Sequence, residues 1–171
     1  MGEHILNYDS FVKMITRHAA RLGVDVSFGK YVNVRTPDGE KSAGYFIQPD
    51  DVDSLLPYAR KPIKKKRGSD PDQVDLIKGR GIIRVATKCQ KTQWIHTLAH
   101  EYCHMLQWFR DDPLYTGEPE DNDYQLEFQT ELEALALMSK YKLPLSMAQR
   151  WKDSRSYLAR LAKNLDINTE E

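Results

Sequence analysis

The stretch TQWIHTLAHEYCHMLQWF, residues 92–109, decides the fold of this chain. Its apolar residues recur at helical spacing and cover a wide face. They are Trp94, Ile95, Leu98, Ala99, Tyr102, Met105, Leu106 and Phe109. A helix that is apolar over so much of its surface has to be buried by other elements. We therefore predict a helix over residues 92–109 at the centre of the core.

The residues before this helix predict a first helix and then short strands. Apolar residues at helical spacing and a stop at Gly23 indicate a helix over residues 9–22. Strands are predicted at residues 24–28, 31–35, 44–48 and 81–86. The turn sequence TPDG at residues 36–39 favours a hairpin between the second and third of them.

The residues after the central helix predict two more helices. An acidic connector at 111–123 leads to a helix over residues 124–141, which ends before Pro144. Ser146 is a suitable N-cap for the last helix. Its inward-facing residues are predicted to be Met147, Trp151, Leu158, Leu161 and Leu165. The fold class is therefore predicted as α+β, with a small, mostly antiparallel sheet packed on a helical bundle.

Composition restricts the class of protein. The 171 residues fit a single domain, predicted to include a mobile basic loop at about residues 57–79. Twenty-five basic residues balance 25 acidic ones, so no net charge draws the chain to nucleic acid or membrane. No apolar run approaches the ~20 residues of a membrane span, and the N-terminus lacks a secretory pattern. Cys89 and Cys103 are predicted to lie too far apart for a disulfide. We expect a soluble, cytoplasmic protein with free thiols.

The central helix contains the motif HEYCH at residues 100–104. Four-residue spacing places the imidazoles of His100 and His104 on one face, about 6 Å apart along the axis, so that they can converge on one ion. Zinc accepts imidazole ligands, and a catalytic zinc site keeps one position for water. Glu101 is placed to act as general base toward that water. The motif thus predicts zinc ligands at His100 and His104 and a catalytic residue at Glu101.

The third ligand should be a carboxylate, because none of the five histidines follows His104. The helix after the connector offers Glu127, Glu131 and Glu133. Glu127 and Glu131 are one turn apart and share a face, whereas Glu133 points about 160° away from Glu131. All three remain candidates at this point.

Two features of the helix predicted at residues 124–141 favour Glu131. Ala134, three residues further on, is small and permits a close approach to the central helix. Apolar neighbours on the same stripe are Phe128, Leu135 and Met138. They should draw the carboxylate of Glu131 into the core, where an unpaired charge is costly and a metal would satisfy it. We therefore predict Glu131 as the third ligand, with Glu127 as the next choice.

His96 lies one turn before His100, on the same face of the central helix. It is about 12 Å along the axis from His104, so it cannot share an ion with both motif histidines. We predict a partly buried histidine with satisfied hydrogen bonds. The alternative is a residue of the cleft wall that touches the substrate.

From Ile82 through the two-histidine helix to Pro144, the sequence resembles the ImmA/IrrE type of gluzincin-like metallopeptidase. The pattern is a strand, a helix with HExxH and a helix with an E-x-x-A element, which Glu131 to Ala134 match. The resemblance implies a minimal zincin-like core and a small intracellular zinc peptidase. It also implies Glu131 as the third ligand. Some members of that family cut repressor proteins, so a protein substrate is implied by analogy.

Together these features predict a zinc-dependent metallopeptidase that hydrolyses a peptide bond in a protein or peptide with a metal-activated water, with Zn²⁺ as its cofactor. One alternative is a non-catalytic regulator or scaffold that contains zinc. The presence of Glu101 speaks against it, because a structural zinc site has no use for a general base. Another alternative is a nucleic-acid-associated protein that uses the basic segment from Arg60 to Arg67, in which six of eight residues are basic.

Overall fold

The computed structural model describes residues 5–32, 43–49, 80–116 and 119–164. The helices and strands in chain order are α1 (Tyr8–Arg21), β1 (Val24–Gly29), β2 (Gly44–Ile47), β3 (Gly81–Ala86), α2 (Lys91–Phe109), α3 (Pro113–Thr116), α4 (Pro119–Lys140) and α5 (Met147–Asn164). Within these residues a three-stranded sheet packs against five helices, which confirms the α+β class. The basic loop predicted at residues 57–79 lies outside the described residues.

Within the described residues the sheet is mixed, with one parallel and one antiparallel pair of strands, where the sequence predicted a mostly antiparallel sheet. β3 lies in the centre, with β1 parallel on one side and β2 antiparallel on the other. The first five of the six residues of β3 are buried, as expected for a central strand that is covered on both faces. β2 pairs with β3. Of its predicted hairpin partner at 31–35, only residues 31 and 32 are described, so the hairpin stays a prediction.

α2 is the central helix, as predicted. It contacts the sheet on one side, α4 on the other, and also α1 and α3. Its fully buried apolar residues include Ile95, Leu98, Ala99 and Met105. Cys103 on the same helix is buried and Cys89 before it is exposed, and both are free, as expected. Among the described helices, none combines the length and the apolar character needed to cross a membrane.

Local chemistry explains where the other helices begin. The side chain of Asn7 accepts a hydrogen bond from the Ser10 amide at 2.8 Å and caps α1. Ser146 caps α5 as predicted, since its Oγ accepts from the Gln149 amide at 3.2 Å. α4 begins at Pro119, within the segment predicted as a connector. Proline is favoured in the first turn of a helix, because its missing N–H would have no partner there.

Gly44 of β2 allows the edge of the sheet to approach α2 closely. A Cβ added at this position would lie 2.7 Å from Thr97 Cγ2 and 2.9 Å from the carbonyl oxygen of Arg84. Because the Arg84 contact is with backbone, Gly44→Ala should lower the free energy of unfolding by about 1–3 kcal/mol, measured by denaturant titration. Adding Thr97→Ser should recover part of that loss. A Gly44→Ala protein as stable as the wild type would contradict this close packing.

Candidate metal centre

Three side chains from two helices converge on one point. They are His100 and His104 of α2 and Glu127 of α4, whose ligand atoms all lie within 4.8 Å of one another. His100 Nε2 is 2.8 Å from Glu127 Oε2, and His104 Nε2 is 3.1 Å from Glu127 Oε1. The structure therefore confirms a candidate metal site made of the two motif histidines and a downstream glutamate.

The ring of His104 is oriented by a hydrogen bond at Nδ1, the nitrogen that does not face Glu127. His104 Nδ1 lies 2.9 Å from Gln107 Oε1. The amide nitrogen of Gln107 is occupied, because it donates to Thr130 Oγ1 at 2.9 Å and to Glu133 Oε2 at 2.6 Å. Gln107 therefore presents its oxygen to His104, which must donate from Nδ1. That tautomer leaves the Nε2 lone pair directed at the convergence point, as metal binding requires.

Glu131 contacts His100 at the opposite edge of the ring. Its Oε2 lies 3.3 Å from His100 Nδ1 and 3.0 Å from His96 Nε2. Glu131 is therefore outside the converging set, and Glu127, the second choice from sequence, lies inside it. A carboxylate behind a metal-ligating histidine fixes the orientation of its ring and raises its basicity. This geometry favours Glu127 as the third ligand, and the assignment of Glu131 to that position stays a prediction.

Glu133, the remaining candidate, lies at the rim of the helix pair. It accepts from Gln107 Nε2 and, at 2.5 Å, from Arg110 Nη2. Its carboxylate is not in the converging set of the described residues. Among the described residues, Glu133 is connected to the candidate centre through its hydrogen bond with Gln107.

Glu101 is buried beside the centre, with 7% of its surface exposed. Its Cγ would lie 3.4 Å from a Cβ added at Gly44, which places the side chain next to β2. Burial raises the pKa of Glu101, and the nearby His100 and His104 oppose that shift only in part. A raised pKa brings a carboxyl group nearer to the range in which it exchanges protons at neutral pH.

Tyr157 of α5 also belongs to the site and was missed from sequence. Its hydroxyl donates to Glu127 Oε2 at 3.1 Å, and its ring lies edge-on to His100 with centroids 6.2 Å apart. Burial, followed by the charge of Glu127, raises the pKa of Tyr157, so the hydroxyl remains a donor. The only available signal was its position beside Leu158 on the inward face of the last helix.

The charges of the centre suit a cation. Three carboxylates, Glu101, Glu127 and Glu131, lie around the two motif histidines in a largely buried space. Burial raises the pKa of Glu131, but its bonds to His100 and His96 lower it to about 2. Buried carboxylates are costly unless compensated, and a divalent ion compensates more charge than one protonated imidazole. Two imidazole nitrogens and a carboxylate also form a donor set that zinc accepts.

In the metal-free protein, His100 and Glu127 form an ion pair whose stability depends on pH. Burial lowers the pKa of His100, but Glu127 and Glu131 raise it well above 6.5. The contribution of the charged His100 to the free energy of unfolding is therefore complete below pH 6.5 and is lost as the pH rises through the raised pKa. Burial raises the pKa of Glu127, but His100 and His104 lower it well below 4.5. The contribution of the Glu127 carboxylate to the free energy of unfolding is therefore complete above pH 4.5 and is lost on acidification. The pair should stabilise the metal-free protein most between pH 4.5 and 6.5.

The measurement is urea unfolding in the presence of a chelator, compared between the wild type and Glu127→Gln at pH values below, within and above this window. The difference in the free energy of unfolding should be largest inside the window and should shrink on both sides. A difference that does not change with pH would contradict the ion pair.

A strand, the HExxH helix and a later helix that carries Glu127, Glu131 and Glu133 follow one another in the order that the sequence predicted. The structure adds the convergence of His100, His104 and Glu127. Comparison with protein-family models, curated protein sequences and solved structures found no match to this chain.

Proposed function

We propose that this protein is a zinc-dependent metallopeptidase that hydrolyses a peptide bond in a protein or peptide substrate. The observation that carries the proposal is the convergence of both motif histidines on Glu127, with Glu101 buried at their side. HExxH on a helix, with its glutamate next to the first ligand, is the pattern of metalloproteases.

Zinc is the proposed ion, held by His100, His104 and Glu127. Two histidines and a glutamate are one of the ligand sets of catalytic zinc sites, which keep a further position for water or substrate. When bound, the ion supplies Lewis-acid chemistry and lowers the pKa of water. Gln107 and Glu131 hold the two histidines in the tautomer that such binding needs.

Glu101 is the proposed general base. Its carboxylate accepts a proton from water as the water oxygen bonds to the peptide carbonyl carbon. It then returns that proton to the amide nitrogen as the carbon–nitrogen bond breaks, so that an acid and an amine are released and Glu101 is regenerated. Its burial next to β2 limits its exchange of protons with bulk solvent.

The test joins metal content to cleavage. Purified wild type should hold near-stoichiometric zinc by elemental analysis, and His104→Ala should lose most of it, because two protein ligands rarely hold a catalytic ion. Incubation with the proteome of the host should produce new peptide termini that disappear with a chelator and return with zinc. Zinc-loaded wild type that cuts nothing would instead support a non-catalytic zinc protein, and a wild type without metal would overturn the metal site.

The nucleic-acid alternative rests on the basic segment from Arg60 to Arg67, which lies outside the described residues. It predicts binding that weakens steeply with salt and is lost when the segment is neutralised. Binding of that kind, together with an absence of cleavage, would favour it over the peptidase.

A further inference from the structure

One face of α5 carries polar side chains that reach into the metal centre. Arg150, Ser154 and Tyr157 lie one turn apart along this face. Arg150 and Ser154 contact His96, and Tyr157 contacts Glu127. Arg150 is only 4% exposed and Ser154 is fully buried. Polar groups are buried at such positions only where hydrogen bonds compensate for the loss of water.

The contact with Arg150 sets the tautomer of His96. Arg150 Nη1 lies 3.5 Å from His96 Nδ1 and 3.4 Å from the carbonyl oxygen of Thr92. A guanidinium group can only donate, so His96 Nδ1 has to accept and the ring proton has to be on Nε2. His96 Nε2 lies 3.0 Å from Glu131 Oε2 and therefore donates to it.

Glu131 Oε2 joins two histidines. The same oxygen that accepts from His96 also lies 3.3 Å from His100 Nδ1. A carboxylate held by a single partner can rotate about its side-chain bonds, whereas the second donor fixes its direction. His96 therefore keeps the acceptor in place for the His100 Nδ1 proton, and this leaves His100 Nε2 directed toward Glu127.

We propose that His96 is a positioning residue of the metal centre, which acts through Glu131 on His100. Arg150 holds His96 in its donating tautomer, and Ser154 Oγ lies 3.4 Å from the donating Nε2, so α5 helps to determine metal affinity. The role rests on the proposed zinc site, and it requires His96 neither to bind the ion nor to touch the substrate.

The test compares His96→Leu, which keeps bulk but cannot donate, with His96→Gln, whose amide can accept from Arg150 and donate to Glu131. Zinc dissociation constants are measured by competition with a chelator of known affinity. His96→Leu should bind zinc about 10-fold more weakly than the wild type, the lower end of the range for residues that support a ligand, and His96→Gln should recover most of that loss. The visible absorption of the cobalt(II)-loaded protein should shift in the leucine variant and return toward wild type in the glutamine variant.

Ile95→Val is the matched control, because it truncates the neighbouring buried residue without altering a hydrogen bond, and it should leave zinc affinity unchanged. If His96→Leu does not fold, Arg150→Leu and Arg150→Lys serve as the pair, and only the lysine variant should keep affinity near wild type. Wild-type affinity in His96→Leu or in Arg150→Leu would overturn the positioning role while leaving the zinc site intact. A wild type that binds no zinc would overturn the proposed function and this role together.

Discussion

Replacing Glu101 with glutamine should leave the zinc content unchanged and lower turnover by about two to four orders of magnitude. Glutamine has nearly the same size and fits the same buried position, but it cannot accept the proton from water. Glu101 is not among the three converging ligand groups, so the ion should be retained. Turnover per bound zinc on a verified peptide substrate, with zinc measured by elemental analysis, checks both parts of this expectation.

A matched control is Asp25→Asn, the same carboxylate-to-amide change in β1. Asp25 pairs with Arg80 and has 42% of its side chain exposed. That variant should keep wild-type turnover. If Glu101→Gln is as active as the wild type, Glu101 is not the base. If it loses zinc instead, its role lies in supporting the ligands.

Glu127→Gln should weaken zinc binding more than Glu131→Gln does. Glu127 faces the Nε2 atoms of both motif histidines, so its replacement removes a charged ligand. Glu131 faces His100 Nδ1, and the loss of such an outer contact typically costs about 10–100-fold in metal affinity. Chelator competition on the folded variants gives the two dissociation constants directly.

Glu133→Gln completes the series, because it alters a glutamate of the same helix whose contacts are with Gln107 and Arg110. Its effect should be the smallest of the three. A large loss in Glu131→Gln, with Glu127→Gln binding as tightly as the wild type, would establish Glu131 as the ligand that sequence and resemblance favoured.

The fold class could be predicted because its signals are local. The apolar face of residues 92–109 and the caps at Ser146 and Gly23 depend on neighbours within a turn or two. The pairing in the sheet could not be predicted in the same way. The direction of a pair depends on which strands the tertiary fold places side by side, and β3 is separated from its parallel neighbour β1 by more than 50 residues of chain.

α5 shows a second limit of structure prediction from sequence alone. Trp151 was predicted to face inward but is 40% exposed, whereas Arg150 beside it is buried against His96. Hydrophobicity ranks tryptophan above arginine for the core. The opposite outcome follows because the space next to α5 contains two hydrogen-bond acceptors, His96 Nδ1 and the carbonyl oxygen of Thr92, which the several N–H groups of an arginine can satisfy together.

The sequence by itself determined the central helix, the shared face of His100 and His104 and the place of Glu101, since each follows from helical spacing. It also determined the need for a later carboxylate, since no histidine follows His104. Only the tertiary structure decided which carboxylate meets which nitrogen. Glu127 and Glu131 share a face and differ by one turn, about 6 Å along α4. The offset at which α4 packs on α2 brings Glu127 to the Nε2 atoms and Glu131 to the far side of His100. That offset results from packing along the whole helix pair, which no local pattern of residues contains.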